Sequence, residues 1–339
     1  IWLTEPIPAP RLEVRGLDGA SHSLERYRGR SLLLNFWATW CLPCQIELAD
    51  LQRHRAEIEA RGLLPLLVSV DEPGEEAKVR QYVRSQGLTW PILLANAEVV
   101  RAYSLLLRHL LDEASDLVIP TTFVVNESGD IIRFYAGRTS AEQVLRDLAL
   151  LPKGSDVRSE LARLALPFPG RAYAARFQRN WVQLADTFAL AGLTGQALAY
   201  LRHGIQTQPG HAQAFDRLGL LYAHQGRWQE ALDAHQEAAK LGLSGAEVES
   251  HLATALAQLG RLAEAAAAAP RALAARPQEA EPQRTWAAIT SRRGSPQAAL
   301  PALQRSLQLD PENAGGHYNL GLMLQKLGRP SEALDAFRR

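Results

Sequence analysis

Both cysteines of the chain, Cys41 and Cys44, stand three positions apart in FWATWCLPCQIE (36–47). Two thiols at this spacing can ligate a metal, anchor haem, close a structural staple or exchange electrons. A structural zinc site needs about four ligands. With two cysteines and nine scattered histidines, no metal is assigned. Haem attachment needs a His directly after the second Cys, and that residue is Gln45. An inert pair is poorly placed on a strand-to-helix turn, and the redox reading fits the physics. Cys41 falls at the start of a helix expected over 42–61, where unpaired N–H groups and the helix dipole favour a thiolate. Such a site draws a thiol from about 8.5 toward 7 or lower. Pro43, at the second helical position, tolerates the missing N–H and stiffens the loop. Cys44, one turn on and more buried, is in reach to resolve a mixed disulfide. The Cys41–Cys44 disulfide itself would carry the electrons, so no cofactor is expected.

The elements around the pair alternate between strand-like and helix-like. RLEVRGLDGASHSL reads as a hairpin around Asp18-Gly19. SLLLNFWA (31–38) is a continuous apolar run suited to a strand buried on both faces. QIELADLQRHRAEIEARG (45–62) is expected as one helix, with Leu48, Leu51 and Ile58 inward and Gly62 ending it. LLPLLVSVD is a second buried strand and EEAKVRQYVRSQG (75–87) a second helix, followed by a long helix over 97–116. IPTTFVVNESGDIIRFYAG (119–137) reads as a hairpin turning at Ser128-Gly129-Asp130. SAEQVLRDLALL (140–151) closes the unit, with Ser140 as N-cap and Gln143 at the capping-box position. This order predicts an α/β domain with a mixed sheet over 1–151. Two Pro clusters around a short helical stretch mark a linker at 152–177.

Composition narrows the partners. The chain is 47% hydrophobic and 22% charged, with net charge +1, which gives no reason to expect nucleic acid or an anionic membrane as main partner. Residues 1–152 carry 16 basic against 20 acidic side chains and the remainder 21 against 16, ordinary solvated surface for the most part. No apolar run approaches the roughly 18–20 residues of a membrane span. The start at Ile1 without Met points to a processed or trimmed product.

From 178 the period changes. Residues 178–211, 212–245, 246–279, 280–313 and 314–339 align as a 34-residue repeat without insertions, the last one cut short. Position 8 reads Ala185, Gly219, Ala253, Ala287, Gly321; position 15 is always Gly; position 20 is always Ala. Each repeat reads as two helices with a Gly turn between them and small residues where they cross. Pro270 and Pro301 fall inside second helices, where a Pro costs on the order of 3 kcal/mol, so kinks or shortened helices are expected. The array resembles the tetratricopeptide repeat (TPR), an all-α solenoid. Trp181, Leu184, Phe188, Leu218, Gly219 and Tyr222 stand at that family's aromatic, leucine and glycine positions. The resemblance implies a groove that binds a peptide or protein, lined by residues such as Arg179, Asp186, Gln213, Asp216, Thr254, Arg284, Tyr318 and Lys326. Position 5 reads Val182, Asp216, Ser250, Arg284, Tyr318 and lacks the family's carboxylate clamp.

FWATWCLPC resembles the thioredoxin-fold active site, with Trp37 and Trp40 at the family's tryptophan positions. Within that superfamily residues 8–151 are similar to the TlpA/ResA group of extracytoplasmic thiol–disulfide oxidoreductases. The N-terminal hairpin, the helical insertion near 97–116 and PTTF before a Gly-Asp turn carry that likeness. It implies a cis Pro120 opposite the cysteines, letting the backbone of Ile119 pair with a bound peptide, and substrate contacts at Trp40, Pro43 and Ile119. Thr121 and Thr122 read as strand residues. Classical thioredoxins keep a buried Asp six residues before the first Cys; here Asn35 stands there and cannot titrate. The ResA group instead places a Glu three residues after the second Cys, which is Glu47. On a helix, 44 and 47 share a face, so Glu47 could take the proton from Cys44; otherwise it is a solvated helix residue. Peroxiredoxins share the fold, but their peroxidatic Cys lies in a Pro/Thr-rich loop rather than a CxxC. The expected activity is exchange with protein disulfides, in the reducing direction and outside the cytoplasm (periplasmic), with the repeats recruiting or positioning protein. The rival reading is an interaction scaffold whose redox domain is vestigial or a sensor.

Overall fold

The computed structural model describes residues 1–111, 117–151, 160, 161, 163, 164 and 179–339. Residues 112–116 of the expected insertion helix, and 152–159, 162 and 165–177 of the expected linker, lie outside the described residues. Two compact units result, Ile1–Ala199 and Tyr200–Arg339.

The apolar run expected to be a buried strand is β4 (Ser31–Trp37), at the heart of a mixed sheet. It pairs in parallel with β5 (Leu63–Ser69) and antiparallel with β7 (Thr121–Val125). Outside these lie β8 (Asp130–Ala136) and β1 (Trp2–Pro8) on one side. On the other are β6 (Ile92–Leu94), β2 (Glu13–Gly16) and β3 (Ser21–Ser23). The order is β1-β8-β7-β4-β5-β6-β2-β3. The Asp18-Gly19 hairpin and the 119–137 hairpin form as expected, with Gly19 and Gly129 at positive φ. β1 and β6 go beyond the sequence pattern: the first carries Pro at 6 and 8, and the second has only three residues.

Because successive strand residues face opposite ways, β4 serves two cores. Phe36 packs with Tyr103, itself in contact with Phe123, on one face, with ring centroids 4.7 and 5.3 Å apart. Leu33 and Trp37 face the other, against Leu48, Leu51, Ile58 and Val79. Leu161, in the segment after the expected domain end, is buried in that same core.

The helix expected over 45–62 is two: α1 (Leu42–Arg53) and α2 (Arg55–Ala60). The break is at His54, whose Nδ1 reaches the Asp50 carbonyl at 3.0 Å while its backbone N–H is shared between the carbonyls of Asp50 and Leu51. Side-chain competition for a carbonyl and tightening to i→i+3 bonding end the regular helix there. Gly62 follows at φ 79°. Next come α3 (Glu76–Ser85), α4 (Ala97–Leu111) and α5 (Ala141–Leu148). Ser140 caps α5 by accepting from Gln143 N at 3.2 Å. The capping box does not close: Gln143 Nε2 reaches forward to Asp147 at 2.9 Å.

The first unit also holds α6 (Trp181–Leu190), whose sequence is the opening helix of the repeat array and which packs on α4. Arg179 N donates to Glu5 Oε2 at 3.2 Å, Arg11 N to Gln196 Oε1 at 3.0 Å, and Arg101 Nη1 to the Ala191 carbonyl at 3.4 Å. Helix α7 (Thr194–Thr207) spans the division between the units.

The second unit continues with helix pairs: α8 (Ala212–His224) with α9 (Trp228–Lys240), α10 (Ala246–Gln258) with α11 (Leu262–Ala275), α12 (Ala280–Arg292) with α13 (Pro296–Leu309), and α14 (Ala314–Lys326) with α15 (Pro330–Arg338). The repeated Gly between partners takes positive φ in each case. Pro270 and Pro301 do not shorten their helices, each of 14 residues. Both prolines sit on exposed positions, so the ring stays out of the packing and water can reach the freed carbonyl. Position 8 is matched to position 24 of the same repeat. Gly219 lies under His235 and Gly321 under Phe337, where a Cβ would overlap the ring. Where position 24 is Ala269 or Leu303, position 8 is Ala253 or Ala287.

Candidate active site

At the end of β4 the chain turns through Ala38–Trp40 into α1, and this turn is fastened from several directions. Thr39 donates through its amide and its hydroxyl to Asp71, at 3.0 and 2.5 Å, and Ser69 Oγ holds the same carboxylate at 2.7 Å. Gln45 Nε2 donates to the Thr39 carbonyl at 2.6 Å. Cys41 is the N-cap of α1, its sulfur accepting from Cys44 N at 3.2 Å, with Pro43 at the second helical position. Cys41 and Cys44 are joined by a disulfide of 2.05 Å. Cys44 is fully buried; Cys41 keeps a small opening to solvent.

The Ile119–Pro120 bond is cis, and the Ile119 carbonyl lies 3.8 Å from Cys41 Sγ. Trp37 is buried against Tyr82, whereas Trp40 is 67% exposed. Leu42, Ile46 and Val118 are exposed as well. Pro43 is exposed and Ile119 half-buried. The turn thus brings Trp40, Cys41, Pro43, Cys44, Ile119 and Pro120 to one end of the sheet.

Glu47 is not a solvated helix residue; it is 1% exposed. One turn after Cys44 on α1, it points into the sheet, toward β4 and β7. Asn35 Nδ2 and Thr122 Oγ1 donate to its Oε1 at 2.8 and 2.9 Å, and Thr139 N donates to its Oε2 at 2.8 Å. Asn35 Nδ2 also donates to Thr122 Oγ1 at 2.7 Å, while its buried Oδ1 has no partner among the described residues. Burial pushes the Glu47 carboxyl up from about 4.5 to about 7, the donors and the Arg138 charge offsetting only part of that. A carboxyl poised there exchanges a proton readily at neutral pH. Thr122 and Thr139 join this site without a motif to announce them. The first is legible in principle, because Asn35 and Thr122 are paired across β4 and β7.

The AhpC/TSA family model matches residues 7–134, and tetratricopeptide repeat models match 211–242 and 291–339. Thiol-disulfide oxidoreductase ResA of Geobacillus kaustophilus is 30% identical over 141 residues, covering 41% of this chain and 74% of that protein. Thioredoxin-like protein YneN of Bacillus subtilis is 26% identical over 150 residues, covering 44% and 82%. Among solved structures, a thioredoxin-family thiol:disulfide interchange protein from Chlorobium tepidum TLS is 28% identical with a TM-score of 0.37, covering 43% of this chain and 95% of that one. YrrB, described as a TPR protein with an unusual peptide-binding site, is 20% identical with a TM-score of 0.38, covering 46% and 80%.

Proposed function

This chain belongs to the ResA family of thiol–disulfide oxidoreductases, fused to a tetratricopeptide array, and from that premise we propose that it reduces protein disulfides outside the cytoplasm. The Cys41 thiolate of the reduced pair attacks one sulfur of a substrate disulfide, giving a mixed disulfide and a substrate thiolate that takes a proton from solvent. Cys44 then gives its proton to Glu47 and its thiolate attacks Cys41 Sγ. The Cys41–Cys44 disulfide forms, the second substrate sulfur leaves as thiolate, and the substrate has gained two electrons. A dithiol reductant of the same compartment restores the pair. Trp40, Pro43 and the Ile119 backbone receive the substrate, and the exposed apolar side chains next to them in sequence, Leu42 and Val118, suit an unfolded or extended segment. The repeats recruit the client or the redox partner.

The observation that carries this reading is the buried Glu47, which Asn35, Thr122 and Thr139 hold one helical turn after Cys44, while Cys41 of the same disulfide keeps access to solvent. Without a nearby base, deprotonating a fully buried Cys44 would be opposed by burial. The deciding measurement is the reduction potential of the pair against glutathione. A value near that of thioredoxin, about −270 mV, is expected; one near −120 mV would make the protein an oxidant instead. Absence of any Cys41-dependent insulin reduction would leave an interaction scaffold.

A further inference from the structure

The second unit buries a polar cluster around His235, at a repeat position that the following repeats fill with hydrocarbon. Asp216 on α8, His235 on α9 and His251 on α10 converge on one point. His235 Nδ1 lies 2.7 Å and His251 Nδ1 2.9 Å from the same oxygen, Asp216 Oδ1. The two imidazole rings are 4.9 Å apart between centroids. His235 occupies position 24 of its repeat, which in the third, fourth and fifth repeats is Ala269, Leu303 and Phe337. Asp216 and His251 stand at positions 5 and 6, where the fourth repeat has Arg284 and Thr285 and the fifth Tyr318 and Asn319. Packing alone does not call for these residues, since apolar replacement of a buried charged pair is often neutral or stabilising. Gly219 leaves the space that the His235 ring fills.

We propose that Asp216, His235 and His251 form a binding site for a divalent transition-metal ion, with zinc the first candidate. Two imidazole nitrogens and one carboxylate oxygen are a donor set of borderline hardness that suits zinc and its neighbours, not magnesium or calcium. One ligand atom from each residue lies within 4.8 Å of the others. Donors held about 2.0–2.1 Å from a tetrahedral ion stand about 3.3 Å apart. The observed 2.7 and 2.9 Å separations therefore need only a small outward turn of the two rings. The side chains of His251 and Asp216 keep 13% and 10% exposure, which supplies a way in and leaves a fourth position for water. The nearby Glu247 and Glu281 carboxylates add negative potential at His251. The ion would fasten three helices from two successive repeats. This site is independent of the chemistry at Cys41.

The test uses the untagged full chain in its disulfide form, so that neither thiol can compete for metal. It is titrated with zinc against a chromophoric chelator, and separately with cobalt(II) as a spectroscopic probe. Expected are one zinc bound per chain, and a four-coordinate cobalt spectrum in the visible without a thiolate charge-transfer band. Affinity should fall at least about tenfold in Asp216→Asn and in His251→Gln. Failure to retain zinc against the chelator, or wild-type affinity retained in both variants, would overturn the proposal. If Asp216→Asn does not fold, His251→Gln, altered at a half-buried side chain, decides alone.

Discussion

Glu47→Gln exchanges a buried carboxyl for an amide of the same size, in a pocket whose Asn35 amide can turn to match it. In the folded protein the carboxyl titrates near 7 instead of about 4.5, so ionising it is harder in the folded than in the unfolded chain. The gap corresponds to about 3 kcal/mol. Because the folded-state value is the higher one, this stabilisation is complete below about pH 4.5 and is lost as pH rises through about 7. The wild-type disulfide form should therefore lose up to about 3 kcal/mol from this group between pH 4.5 and 8, and the variant should not. The amide fits: its oxygen keeps the Thr139 N–H, and its NH2 meets Asn35, whose unpartnered Oδ1 can turn inward to accept. Urea denaturation of both disulfide-form proteins at several pH values isolates the effect as a difference, in which other titrating groups cancel. In parallel, release from a Cys41 mixed disulfide should slow about a hundredfold and lose its dependence on pH near 7. Parallel stability profiles together with an unchanged release rate would refute the role given to Glu47.

Cys44→Ser should accumulate a mixed disulfide between Cys41 and substrate, visible as a mass adduct on a non-reducing gel. Asp147→Asn should cost about 3–5 kcal/mol in urea denaturation, because the buried Arg133 guanidinium loses the carboxylate it pairs with at 2.7 Å. Gly219→Ala should destabilise by about 1–3 kcal/mol, since its Cβ would strike the His235 ring. Adding His235→Ala should recover most of that loss.

The pair at 41 and 44, the strand before it and the hairpin carrying Pro120 are legible because each is a local signal: a spacing, an unbroken apolar run, a turn with Gly at its tip. The 34-residue period is legible for the same reason, repeated five times. What escapes depends on distant neighbours. Whether Glu47 meets water or sheet is decided by Thr122 and Thr139, 75 and 92 residues away in sequence. The break at His54 comes from one ring reaching back to a carbonyl, which a periodicity count passes over. Pro270 and Pro301 are disruptive by type, yet their exposed positions decide the outcome. The Asp216–His235–His251 cluster joins three helices at unrelated repeat positions, so no spacing announces it.

Helix α6 has a consequence for how such a protein can grow. By sequence it opens the repeats; by packing it is a flank of the sheet-bearing unit, with Arg179 fixed to Glu5 and Gln196 to Arg11. Gain or loss of a repeat from the second onward changes the length of the array and leaves the redox unit whole. Deleting the first would strip a buried face from α4. The repeat phase therefore does not mark where the chain can be trimmed: the packing boundary falls inside the second helix of the first repeat, between Ala199 and Tyr200.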